Sequence, residues 1–274
     1  IHKRSLTINS NIAATRASKF LASNHQNLQK SLDRLSSGKR ITEPADDAGG
    51  LAVSMKLENE INQLERAANN LANAISFLQV QDGLLDNIAN IVMRLGELKS
   101  MSEDVLMTGS TIYDSEVTDL SAQLATYTIA ANNTFNDVNL LDSASDLTIT
   151  AAGQSITISR HDVATALTST TNSDDFTALT AVGDITNSDD VNDVLDLVAA
   201  LRATNGGEAN QLQYKMTDVN TQITNLTAAK GRIMDVDIAA ESANLAKQQI
   251  LVQASAAMVA QANTSNDVAL MLLR

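Results

Sequence analysis

From Ser10 to Leu35 apolar or small residues recur every seven positions, at Ala14, Leu21, Leu28 and Leu35, with Leu32 in the neighbouring track. The other seam positions are Asn11, Ser18 and His25, so the stripe is narrow and half polar. Such a helix buries too little to stand alone and requires a partner helix. Ser36-Ser37-Gly38-Lys39-Arg40 stops it: Gly38 suits the residue after a helix end, and the basic pair complements the helix dipole. Residues 36–46 read as a connector, with Pro44 and the acidic pair Asp46-Asp47 suited to the first turn of the next helix.

A second train, Leu57, Ile61, Leu64, Ala68, Leu71, Ile75 and Leu78, alternates steps of four and three. A third runs Leu84, Ile88, Ile91, Leu95, Leu98 and Val105. The step between the trains is six, with Gln81-Asp82-Gly83 at the shift, which predicts a kink or a change of contact face. One very long helix or a helical pair is expected here, serving as internal core or partly as an intermolecular surface. A turn at Met107-Thr108-Gly109-Ser110 precedes a helix over 113–131, which Asn132-Asn133-Thr134-Phe135-Asn136-Asp137 breaks.

After Leu141 the period changes to two. Leu147-Thr148-Ile149-Thr150 and Ser155-Ile156-Thr157-Ile158, joined by Ala151-Ala152-Gly153-Gln154, read as a β-hairpin. Residues 164–190, dense in Thr, Ser, Asp and Asn, read as exposed loops with a short helix. Helical spacing returns at Val191, interrupted at Asn205-Gly206-Gly207. The last segment mirrors the first: Ile238, Leu245, Val252, Val259 and Leu273 share one heptad phase, broken at Asn266. The economical arrangement is a mainly α chain, a long antiparallel helical bundle or rod. Its two ends pair as a coiled coil and the β-hairpin region projects from the middle.

Composition supports long helices. Glycine and proline number only 11 and 1 among 274 residues, and hydrophobic residues make up 44%. Seven aromatic residues argue against a deep ligand-lined pocket. A net charge of −13 disfavours nucleic acid and anionic lipid as partners. With no cysteine, disulfides, thiolate metal sites and cysteine nucleophiles are all excluded. No apolar run reaches the roughly 18 residues of a membrane span, and no apolar segment of a cleaved signal peptide follows Lys3-Arg4.

Nor is catalysis written here. His2, His25 and His161 are dispersed, and neither H-E-x-x-H nor G-x-S-x-G occurs. His161-Asp162 reads as an exposed structural pair, Gly38-Lys39 as a helix stop, and Asp174-Asp175 and Asp189-Asp190 as solvated charge without a calcium-loop pattern. No enzyme, metal site or cofactor is expected. Assembly is the alternative. The small residues Ala254, Ser255, Ala256, Ala257 and Ala260 let helices pack closely on more than one side, which suits a tube of many neighbours.

Two separated blocks carry a family resemblance. Leu35-Ser36-Ser37-Gly38-Lys39-Arg40-Ile41, then Asp46-Asp47-Ala48-Gly49-Gly50-Leu51-Ala52, Asn73-Ala74-Ile75-Ser76-Phe77-Leu78-Gln79 and Thr134-Phe135-Asn136-Asp137-Val138-Asn139-Leu140-Leu141 closely resemble bacterial flagellin. At the other end Arg232-Ile233-Met234-Asp235-Val236-Asp237-Ile238-Ala239-Ala240-Glu241 is similar to the family's R-I-x-D-x-D-x-A-x-E. Gln249-Ile250-Leu251, Gln261-Ala262-Asn263 and the ending Leu270-Met271-Leu272-Leu273-Arg274 follow it. The resemblance spans residues 5–142 and 205–274.

That resemblance implies a structural subunit of the flagellar filament used for swimming, exported through the flagellar type III apparatus to the cell exterior without a cleaved signal peptide. It implies the inner-layer architecture of the family: residues 1–40 and 235–274 as the terminal coiled coil, 41–146 and 191–234 as a helical bundle, and 147–190 as β-hairpin and surface loops with no large outer domain. The polymerisation seam would comprise Leu21, Leu28, Leu32, Leu35, Ile238, Leu245, Val252, Val259 and Leu273. Implied partners are further copies of the chain, an export chaperone on residues 235–274, and the filament cap and hook-associated proteins.

Three departures matter. The family's proline near the end is Asn266 here, so the final helix is expected to run on. Met93-Arg94-Leu95-Gly96-Glu97-Leu98 is similar to the family's receptor-recognised Q-R-x-R-E-L. Arg94, Glu97 and Leu98 match, but Gly96 replaces an arginine, so recognition by the flagellin-sensing Toll-like receptor is expected to be weakened. Asp137 stands where glycine is usual, which argues against a tight turn. The rival readings are a hook–filament junction protein of the same superfamily and, from another class, a soluble helical signalling bundle; strands at 147–158 disfavour the latter.

Overall fold

The computed structural model describes residues 11–104, 110–129, 132–142, 146–151, 153–168 and 175–271. Val105, residues 107–109 of the expected turn, and Leu273 lie outside them. Six α-helices are described: α1 (Ile12–Ser37), α2 (Ala48–Ser102), α3 (Asp114–Thr128), α4 (Val163–Thr168), α5 (Ser188–Met234) and α6 (Ile238–Met271). Two antiparallel hairpins, β1 (Thr134–Phe135) with β2 (Val138–Asn139) and β3 (Leu147–Ala151) with β4 (Gln154–Ile158), lie between α3 and α4. The chain divides into two compact units, one of residues 1–60 and 225–274, the other of residues 61–224.

In the second unit the buried face of α2 is one unbroken track. Ile61, Leu64, Ala67, Leu71, Ala74 and Leu78 lead to Gln81, and Leu85, Ile88, Val92, Leu95 and Leu98 continue it. The helix runs unbroken through 81–83, and the expected change of contact face does not occur. Gln81 is a fully buried seam residue whose amide donates to Leu140 O at 2.8 Å, so a polar side chain carries the register across the gap. The expected seam members Ala68, Ile75, Leu84 and Ile91 are only half-buried, and the deepest positions are their neighbours Ala67, Ala74, Leu85 and Val92. An apolar residue stands beside each of these positions, so spacing alone could not choose the track.

Helix α5 likewise passes through Asn205-Gly206-Gly207 without interruption. Asn205 is buried and donates from Nδ2 to Leu78 O at 3.0 Å, while Arg202 reaches Asp82 and Asp86 at 3.0 and 2.7 Å. Packing against α2 offsets the roughly 1 kcal/mol that each helical glycine costs. Residues 175–185 are also not the exposed loop expected. Phe176, Leu179, Val182 and Ile185 are buried, and the segment docks on α3 through Leu179 N–H to Ser121 Oγ at 2.9 Å and Val182 N–H to Asp114 Oδ1 at 3.0 Å. Apolar residues spaced by three in a polar background supply this small piece of core.

The hairpin of β3 and β4 is as the alternation predicts: Leu147, Ile149, Ile156 and Ile158 face inward and Thr148, Thr150, Ser155 and Thr157 outward. At β1–β2 the expectation is corrected. A tight two-residue turn does form, with Asn136 at φ 50° and Asp137 at φ 63°. Asn and Asp are the non-glycine residues that best tolerate this left-handed region. Asp137→Gly is therefore expected to relieve strain and stabilise the unit by about 1 kcal/mol, read as a higher urea midpoint with unchanged slope.

His161 is buried rather than exposed, and its Nε2 has no partner among the described residues. Burial pushes its pKa below the usual 6.5, with Glu208 and Asp146 partly opposing. The unfolded chain thus binds the proton more readily than the folded one. Stability is complete above about pH 6.5 and declines as pH falls below it. Melting followed by circular dichroism should show a lower Tm at pH 5.5 than at 7.5, and His161→Gln should flatten that dependence.

Candidate assembly interface

Helices α1 and α6 pair antiparallel in the first unit. Asn11 caps α1, accepting from Ala14 N–H at 2.9 Å, and donates across to Ala262 O at 2.8 Å. Asn24 reaches Leu251 O and Ser255 Oγ, both at 3.4 Å, and Arg34 approaches Glu241 at 3.9 Å. On α1 the facing positions are Asn11, Ala14, Ala17, Leu21, Asn24, Leu28, Ser31 and Leu35; on α6 they run from Glu241 through Leu245, Gln248, Val252, Ser255 and Val259 to Ala262. Leu21, Leu28, Leu35, Leu245, Val252 and Val259 are therefore brought together, whereas Leu32 and Ile238 are 48% and 54% exposed.

The second track of α1 thus falls on 17, 24 and 31, one residue before the expected 18, 25 and 32. Both choices obey three-four spacing. Ala17, Asn24 and Ser31 win because small side chains admit a close backbone and Asn24 finds cross-helix acceptors. Helix α6 continues past Asn266, as the missing proline leads one to expect.

At the base of the pair the two strongest sequence motifs meet. Gly38 takes the left-handed conformation (φ 68°) that ends α1 and turns the chain. Its carbonyl accepts from Val236 N–H at 3.1 Å, Arg40 N–H donates to Met234 O at 2.6 Å, and the Arg40 guanidinium donates to Ile233 O at 2.8 Å. Asp237 caps α6 by accepting from Ala239 and Ala240 N–H at 2.9 and 3.1 Å. Asp46, almost inaccessible, pairs with Lys30, lies 3.7 Å from Arg34 and accepts from Thr42 N–H at 3.3 Å. Lys30, then the Thr42 amide, hold its carboxyl well below the usual carboxylate range against the opposing cost of burial. This charged hub was not singled out from sequence; its signal was an acidic residue inside the 46–52 motif.

The first unit is poor in core. Among its described apolar side chains only Ile41 and Met234 are buried, while Phe20, Ile250 and Met258 are each more than 60% exposed. A monomer seldom leaves so much apolar surface open unless something covers it.

In the second unit Arg94 bridges Glu97 and Glu116, both at 2.8 Å, and Leu98 is fully buried. Of the three residues matching the receptor segment, only Arg94 and Glu97 present atoms to solvent. A Cβ on Gly96 would lie 2.9 Å from Val191 Cγ1, so the N-terminal turn of α5 occupies the side-chain space of that position. Among the described residues no cluster could hold a metal ion, and no helix is long and apolar enough to cross a membrane.

The family model of the bacterial flagellin N-terminal helical region matches residues 8–146, and that of the C-terminal helical region matches residues 189–273. The chain belongs to the bacterial flagellin family. It is 33% identical to the flagellar filament 33 kDa core protein of Treponema phagedenis over 288 residues, covering 98% of this chain and all of that protein. Flagellins of Halalkalibacterium halodurans and Bacillus subtilis are each 33% identical, again over 98% of this chain and their full lengths. This flagellin is a filament subunit of helical architecture and lies outside the cell. The two matched regions leave out 147–188, which hold β3, β4 and α4.

Proposed function

We propose that the α1–α6 pair is the polymerisation element of this filament subunit. The observation that carries the reading is the near-absence of buried core among the described residues of the first unit, beside its exposed Phe20, Ile250 and Met258. Neighbouring copies complete that core, so the pair gains most of its stability on assembly. Leu32 and Ile238, turned away from the intramolecular contact, then serve contacts between subunits. Leu273 belongs to the same proposed seam.

Purified subunits given short filament seeds are expected to grow long, uniform filaments visible by negative-stain electron microscopy. Growth should quicken as salt screens the −13 charge of each copy. Hydrogen exchange should be fast along α1 and α6 in the monomer and slow in the filament. Full protection of both helices in the monomer, or growth insensitive to salt, would overturn the coupling.

The wider reading is a structural, non-catalytic subunit without a metal or cofactor. It is exported through the flagellar type III apparatus, escorted by a chaperone on residues 235–274, and added beneath a filament cap to hook-associated proteins. Toll-like receptor recognition through Arg94 and Glu97 is weak in this reading. Leu98 is withdrawn into the core, and Gly96 supplies no arginine.

A further inference from the structure

Each edge of the β3–β4 hairpin presents something that the monomer leaves unused. Along β3 runs an open groove of about 620 Å³ against α2 and the β1–β2 turn. Its floor is apolar, formed by Phe77, Phe135, Val138, Leu147 and Ile149, with the Phe77 and Phe135 rings edge-to-face at 6.1 Å. Its rim is neutral and polar: Asn70, Asn73, Asn136, Thr148 and Thr150. Among the described residues no charged side chain lines it, although the chain carries 51 acidic and basic residues. Along β4, a separate shallow cleft against α5 is bounded by Ile156 and Tyr214 and by Lys215 and Asp218, which pair with each other at 3.2 Å. Tyr214 is 79% exposed, the most exposed of the large apolar side chains described, while the other two tyrosines are half-buried.

We propose that the β3-edge groove of one subunit seats Tyr214 of a laterally adjacent copy. The proposal rests on the filament role and adds a contact in the second unit. A tyrosine matches the groove's chemistry: its ring suits the apolar floor, and its hydroxyl suits the amide and hydroxyl rim. Two different patches on opposite edges of one hairpin form a heterologous contact, which repeats from copy to copy instead of closing on itself. Charge selects the same partner. Copies that each carry −13 repel generally; the groove brings no charged side chain of its own, and the charges beside Tyr214 are the mutually paired Lys215 and Asp218, so this approach sets no unpaired like charges against each other.

The absence of native cysteine makes a direct test possible. Chains carrying Tyr214→Cys and chains carrying Asn73→Cys are mixed, polymerised on seeds and oxidised. Disulfide-linked dimers are expected in the mixed filaments, and neither in mixed monomers nor in filaments of either variant alone. Mixed filaments of normal length without linked dimers would overturn the contact. Should Tyr214→Cys stop polymerisation while its helicity is unchanged, Tyr214 is needed for assembly as proposed. The flanking pair Gln211→Cys and Asn70→Cys then decides by linkage, its absence in filaments again overturning the contact. An unsubstituted chain that never polymerises would overturn the filament-assembly reading along with it, whereas unlinked filaments overturn the contact alone.

Discussion

Val252→Asp is expected to abolish filament growth at subunit concentrations where the unsubstituted chain polymerises readily. Val252 is half-buried between α1 and α6, on the track that includes Leu245 and Val259. An aspartate there forfeits apolar burial and must be desolvated opposite a face of Leu, Asn and Ser, while Arg34, at the base of the pair, is already held by Asp46 and Glu241. The combined cost is on the order of 2–3 kcal/mol, by the usual penalty for burying an unpaired polar or charged group. Each 1.4 kcal/mol is a factor of ten, so the critical concentration should rise at least about 30-fold. Leu28→Asp should behave alike from the other side of the seam. Neither residue belongs to the unit of residues 61–224, so the cooperative melting of that unit should be unchanged. The measurement is the pelletable fraction against concentration, with circular dichroism of the monomer as control. Filaments at the ordinary critical concentration from either variant would remove that residue from the polymerisation seam.

Gly96→Arg, which restores the residue the family's receptor-recognised segment carries, is expected to destabilise the second unit by about 1–3 kcal/mol, the range for overpacking a filled site. The reason is local. The first atom of any side chain at position 96 would meet Val191 Cγ1 at 2.9 Å, and Val191 is itself buried at the start of α5. A guanidinium can escape to solvent, but its Cβ cannot. Val191→Ala removes the obstructing methyl groups, so the double variant should lose less than the sum of the two single losses. Urea denaturation of all four chains measures that coupling. Additive losses would mean that α5 shifts freely, and that position 96 does not require glycine.

Much of this flagellin is legible in its sequence, because long helices with few breakers advertise their period. Leu21, Leu28 and Leu35 on α1 and Leu245, Val252 and Val259 on α6 could be assigned to facing stripes from spacing alone. The β3–β4 hairpin followed from strict alternation, and the end of α1 from Gly38. The family itself was carried by the 35–41 and 232–241 motifs. The two motifs turn out to hold each other, chiefly through backbone groups: the Gly38 carbonyl accepts from Val236 N–H, and Arg40 donates to the Ile233 and Met234 carbonyls.

Misreadings arose where the deciding interaction was made with a distant segment. The six-residue step at Gln81-Asp82-Gly83 points to a kink or a change of face, yet Leu140, far along the chain, accepts the Gln81 amide proton and lets that side chain sit in the core. Asn205-Gly206-Gly207 reads as an interruption of the helix, yet the Leu78 carbonyl and the α2 surface hold the helix through it. Asp137 argued against a turn, yet β1–β2 pairing imposes a positive φ that an aspartate can bear. His161 carried no local sign of burial.

The amino-acid sequence by itself determined the helical class, the two terminal stripes, the hairpin and the family, since each depends on period or on residues adjacent in the chain. Only the tertiary structure decided which of two equally spaced tracks on α1 faces α6, which polar residues enter the core, and why position 96 is closed to a side chain. Those choices turn on partners far apart in sequence, and local pattern holds no record of the packing distance or the hydrogen-bond acceptor waiting on the other segment.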